Sequence, residues 1–130
     1  MTFQEACEPL LADLFYPSES DEPVEYISIE SEKPLPFLKE DIRDFIEANE
    51  QPISPIELPV FWEKLTTTKE WYMGEEILRV EKFTELKNAF ETHLTHIQGF
   101  RVGEIEVSIY VFGENASGKI EGIKTLAIES

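Results

Sequence analysis

A chain of 130 residues with 42% hydrophobic and 12% aromatic side chains can bury one core, which excludes wholesale disorder and points to a single domain over residues 1–130. Its 27 acidic side chains against 11 basic ones leave a formal charge of −16, which excludes a surface that grips nucleic-acid phosphates or anionic lipid. No apolar run approaches the roughly 20 residues that span a bilayer. The stretch over residues 1–15 carries acids and no basic start, so no signal peptide is expected. A lone Cys7 cannot form an internal disulfide, and the cytoplasm is the expected location. The charge itself leaves two readings open, solubility alone or the long-range attraction of a basic protein partner.

Phe3, Ala6, Leu10, Leu11 and Leu14 are spaced for a helix over residues 2–15, which Pro9 either restarts near Glu8 or kinks. Residues 16–23 form an acidic, turn-rich loop between Pro17 and Pro23, and 24–29 alternate as a strand. A helix is predicted over 38–48, with Leu38, Ile42, Phe45 and Ile46 on one face. Three prolines make 51–59 an irregular connection, and 60–65 a short helix carrying Phe61, Trp62 and Leu65. A polar loop over 66–72 holds Trp71 and Tyr72, and the longest helix follows over 75–94, with Ile77, Val80, Phe83, Leu86, Phe90 and Leu94 in phase. Gly99 and Gly103 punctuate what comes next. Residues 104–112 alternate as a strand, 114–118 turn, and 119–129 return as the final strand. Helices first and a strand hairpin last predict an α+β layered domain.

Catalytic patterns are scarce. His93 and His96 stand three apart with the cysteine far away in sequence, too few ligands for zinc. The glycine-bearing stretch 113–119 joins two strands and opens no helix, so it is not a phosphate-binding loop. Adjacent carboxylates such as Glu75–Glu76 and Glu104–Glu106 are expected in so acidic a chain, and no calcium loop is present. The chain is therefore expected to be no enzyme and to hold no cofactor.

Three features remain. Ser18-Glu19-Ser20 sets a carboxylate between two hydroxyls on the proline-bracketed loop. It is either a turn whose serines bond their own backbone or a presented anion. Glu70-Trp71-Tyr72 is either an aromatic pair folded into the core or an interface anchor. The block 101–130 runs as strand into Ser130, expected as a slender tip bearing a hydroxyl and a carboxylate, a shape that fits a narrow cationic or metal-bearing cleft.

These stretches together resemble the nuclease A inhibitor family, known from cyanobacterial inhibitors of a sugar-nonspecific, magnesium-dependent nuclease. The matching residues are Leu14-Phe15-Tyr16-Pro17-Ser18-Glu19-Ser20-Asp21, then Glu70-Trp71-Tyr72 with Glu75-Glu76 and Val80-Glu81-Lys82-Phe83, then most of 101–130. They keep their order over somewhat more than half the chain, and 31–65 matches poorly. The resemblance implies a three-layer α/β/α sandwich with a mixed central sheet. It also implies that the hydroxyl of Ser130 coordinates the nuclease's magnesium in the complex, that Glu19 imitates the scissile phosphate, and that Glu70 and Trp71 make a second contact. Ser130 stands where a well-known member has threonine, and Glu70 replaces an aspartate. The competing reading is an acidic interaction module of the same fold with a different basic protein partner.

Overall fold

The last third of the chain supplies most of the sheet, and three of the helices described before it cover one face. The computed structural model describes residues 1–31, 33–46 and 51–129. In chain order the elements are α1 Phe3–Leu11, β1 Phe15–Tyr16, β2 Glu22–Pro23, β3 Glu25–Ile29, α2 Lys39–Ile46, β4 Ile53–Pro55, α3 Leu58–Thr66, α4 Gly74–His93, β5 Thr95–Val102, β6 Glu106–Glu114 and β7 Ile120–Ile128. The expected helical residues 47 and 48 lie outside the described residues, as do the side chains of Phe45 and Ile46 and the whole of Ser130.

Among the described residues five strands form one sheet in the order β3-β7-β6-β5-β4, and every neighbouring pair is antiparallel. The α+β class therefore holds, while the expected mixed sheet does not. The physical reason lies in the connections. Short turns between β5 and β6, and between β6 and β7, reverse the chain each time, whereas a parallel neighbour needs a crossover of a dozen or more residues. β1 and β2 pair separately as a small ribbon.

Alternation along β6 feeds two cores. Val107, Ile109 and Val111, with Ile123 and Ala127 of β7, meet Phe3 and Cys7 of α1, Phe61, Trp62 and Leu65 of α3, and Phe83, Leu86 and Phe90 of α4. Phe90 touches Phe3 edge-on at 4.8 Å and Trp62 at 5.6 Å. On the other face Phe100, Val102, Phe112 and Ile120 pack with Phe37, Ile42 and Ile53.

Helix α1 starts at Phe3 because Thr2 caps it. The Thr2 hydroxyl accepts from the Glu5 N–H at 3.1 Å, and the Glu5 carboxylate accepts from the Thr2 N–H at 3.1 Å. Pro9 lies inside the last turns, so the helix is not restarted at Glu8. The stripe of α4 is buried as expected at Val80, Phe83, Leu86 and Phe90, but Ile77 is exposed. Among the described residues four strands escape the sequence reading: β1 and β2 fall on what reads as a helix end and an acidic loop, and two more lie further along the chain. β4 is a three-residue edge strand that ends on Pro55, where three prolines suggest only irregularity. β5 carries Gly99, which reads as punctuation but serves packing, since a Cβ there would lie 3.2 Å from Ile56 and Leu58.

Cys7 is fully buried, and burial pushes its thiol from 9.0 up to about 12, with the charges of Glu8 and Glu121 adding to the effect. Burial also raises the phenols of Tyr16 and Tyr26. In each case the folded state favours the neutral, protonated form. This contribution is complete below the unfolded pKa and is lost as pH climbs through the folded one. The urea midpoint should therefore stay level to about pH 8 and fall steadily from pH 9 toward 12. A midpoint unchanged to pH 11 would contradict this burial.

Candidate functional site

The acidic loop is held at its base by the ribbon of β1 and β2, in which Phe15 faces Pro23 and Tyr16 faces Glu22. Tyr16 is buried and stacks on Phe61 at 6.2 Å, fixing the loop to the helical core. Within the loop the Ser18 hydroxyl donates to the Ser20 carbonyl at 2.6 Å and accepts from the Ser20 N–H at 3.3 Å. The Ser20 hydroxyl donates to the Glu22 carboxylate at 3.0 Å. The self-bonded turn is therefore real, yet it is only part of the picture. The same Ser18 hydroxyl accepts from the Ile128 N–H at 3.2 Å, and the Glu19 N–H donates to the Ile128 carbonyl at 3.4 Å. One donor and two lone pairs are all that a hydroxyl has, and Ser18 uses all of them. The Glu19 side chain stays exposed.

This arrangement follows from where β3 runs out. β3 accompanies β7 only as far as the pair Glu25–Lys124. Beyond it the Thr125 hydroxyl donates to the Pro23 carbonyl at 2.9 Å, and the loop then takes both backbone groups of Ile128. On the opposite side the Glu129 N–H donates to the Ile105 carbonyl at 2.8 Å. The Arg101 guanidinium bonds both carboxylate oxygens of Glu129. The loop bearing Glu19 and the final described residues thus form one unit. Ser130, the next residue along the chain, lies outside the described residues.

The third feature stands on a turn closed by the Tyr72 N–H on the Lys69 carbonyl at 3.1 Å. Trp71 is 71% exposed, which rules out the core reading for it. It meets Tyr72 edge-on at 6.1 Å, and Arg79 sits 5.5 Å above the Tyr72 ring. Glu70 is exposed on the same turn. A cleft of about 580 Å³ runs between this region and the acidic loop, with Phe15 and Asp21 on one side and Glu75, Glu76, Leu78 and Arg79 on the other. Sequence reasoning missed its apolar members. Phe15 and Leu78 are exposed, and so is Met73 beside Trp71. The available signal was phase, because Leu78 falls off the buried stripe of α4.

A second cavity, of about 840 Å³, lies at the far end of β3 and β7. Its buried Glu121 accepts from the Tyr26 hydroxyl at 2.7 Å and from the Asn115 amide at 2.6 Å. Both carboxylate oxygens are thereby spent on tying the β6–β7 turn to the strands. His96 lies 3.6 Å from the Glu114 carboxylate, and among the described residues no group of three or more His, Cys, Asp and Glu side chains is placed to hold a metal ion.

The described residues thus present exposed carboxylates and a solvent-facing tryptophan on hydrogen-bonded turns. The family model described as nuclease A inhibitor-like protein matches residues 2–130, and the chain belongs to that family. No curated protein matches it.

The two aromatics of this region should separate in a stability measurement. Tyr16→Ala removes a buried ring and should cost about 3–5 kcal/mol in urea unfolding. Trp71→Ala should stay within about 0.5 kcal/mol of the parent, as an exposed side chain does. Equal losses would mean that Trp71 packs in solution.

Proposed function

We propose that this protein inhibits a sugar-nonspecific, magnesium-dependent DNA and RNA nuclease by occluding its active site. The observation that carries this reading is the double hydrogen bond between the loop at Ser18–Glu19 and Ile128, which joins the candidate phosphate mimic to the chain two residues before Ser130. Membership of the nuclease A inhibitor-like family supports the class of target. In this reading the Ser130 hydroxyl supplies one oxygen to the partner's magnesium, a hard cation that accepts such a donor in place of water. Glu19 presents its carboxylate where the substrate phosphate would bind, and Glu70 with Trp71 forms the flanking anchor. Trp71 suits that role by its exposure, since tryptophan is enriched among the residues that dominate binding energy. The inhibitor performs no catalysis of its own. We take the encounter to be cytoplasmic, supported by the free, buried thiol of Cys7. We also take the fold as three layers, supported by Phe37 and Ile42 packing on the sheet face opposite α1, α3 and α4.

Titrating the protein into such a nuclease while following plasmid cleavage should give stoichiometric inhibition. A chain ending at Glu129 should bind more weakly by about 2–4 kcal/mol, roughly 30-fold to 1000-fold. Full activity of the shortened chain would remove the metal bridge from the mechanism. Replacing magnesium with chelator should weaken the complex at constant salt. Binding that responds to salt but not to the divalent ion would favour the other reading, an acidic module for a different basic protein.

A further inference from the structure

The unit described above has a property that the inhibitor reading, on which this inference rests, does not by itself require. At the end of β7 both backbone groups of Ile128 face the acidic loop, while the Glu129 N–H faces Ile105. The loop therefore occupies the place of a missing strand. At Ile128 its attachment uses one side chain, the Ser18 hydroxyl. A second side chain, Arg101 of β5, closes on Glu129 from the sheet.

We propose that Ser18 and Arg101 are positioning residues of the binding tip: the Ser18 hydroxyl on the Ile128 N–H and the Arg101 guanidinium on the Glu129 carboxylate fix the end of β7 against the acidic loop, so that Glu19 and the end of β7 are presented to the partner at a preset spacing. Neither residue needs to touch the partner. Their value is preorganisation, because a tip already held in its bound arrangement loses less freedom on binding. Arg101 is no pillar of the fold. Arg101 and Glu129 are 35% and 40% exposed in their side chains, and ion pairs so exposed add little to stability. A charge-assisted hydrogen bond from one guanidinium nitrogen to the carboxylate does, however, hold the two strand ends together. Tyr16 lies within the electrostatic reach of both charges, with Glu129 raising and Arg101 lowering its phenol's pKa after the larger effect of burial.

The test compares Ser18→Ala, Arg101→Gln and Arg101→Lys in two backgrounds, the full chain and a chain ending at Glu129. The first readout is the heteronuclear NOE of the Ile128 and Glu129 amides in the free protein. It should fall clearly in Ser18→Ala and Arg101→Gln, and stay near the parent value in Arg101→Lys. The second readout is inhibition of a sugar-nonspecific magnesium nuclease. Ser18→Ala and Arg101→Gln should each weaken it about tenfold in the full chain and less than twofold in the shortened one, because a spacing between two contacts matters only while both are made, and the shortened chain has lost the residue that follows the end of β7. Arg101→Lys should recover most of the loss. Unchanged NOEs would overturn the proposal, and so would an equal loss of inhibition in both backgrounds, the mark of a direct contact or of general destabilisation. If the parent inhibits no such nuclease, the function proposed above fails, and the NOEs alone decide the clamp.

Discussion

Everything in this molecule hangs on β7 being flanked from end to end. β6 pairs with it from Ile120 to Ile128, while on its other side β3 serves as far as Lys124 and the loop from Ser18 to Pro23 serves the rest. Its side chains reach both cores, Ile123 and Ala127 on the helical face and Ile120 on the other. The approach to β6 is so close at Gly122 that a Cβ there would lie 1.9 Å from the Val111 carbonyl oxygen. The strand that organises the hydrophobic interior is also the strand whose last residues belong to the candidate site. Stability and site geometry are thus set by one element.

Electrostatics complete the arrangement. A net charge of −16 repels nucleic acid and draws in a basic surface, a steering effect that acts before any contact forms. The tip concentrates this tendency in a few exposed carboxylates on rigid turns. Arg79 is occupied above Tyr72, and the Lys82 ammonium donates to the Ala12 carbonyl at 2.7 Å. The cations in the cleft thus serve the fold and leave its acids to face outward.

Much of this was legible in the sequence. The alternation over β6 and the 3.6-residue phase of α4 announced themselves because each buries one continuous face. β4 and β5 did not, for a shared reason. Proline and glycine mark turns when read locally, yet Pro55 sits on a sheet edge and Gly99 makes room for a neighbouring side chain, both tertiary facts. The sheet's uniform direction was likewise hidden, since it depends on which strands become neighbours. At the site, Glu19 and Trp71 stood out by residue type and context. The bond from Ser18 to Ile128 joins residues 110 positions apart, and nothing in local spacing announces it.

One modest feature has a wider effect. β4, at the outer margin of the sheet, is only three residues long and closes on Pro55, which has no N–H to offer. A flat, open margin would be an invitation for another chain to extend the sheet, the first step toward fibrous assembly. Here the invitation is withdrawn on that side by a single imino acid. The backbone on that side is thereby kept from pairing with copies of the same chain.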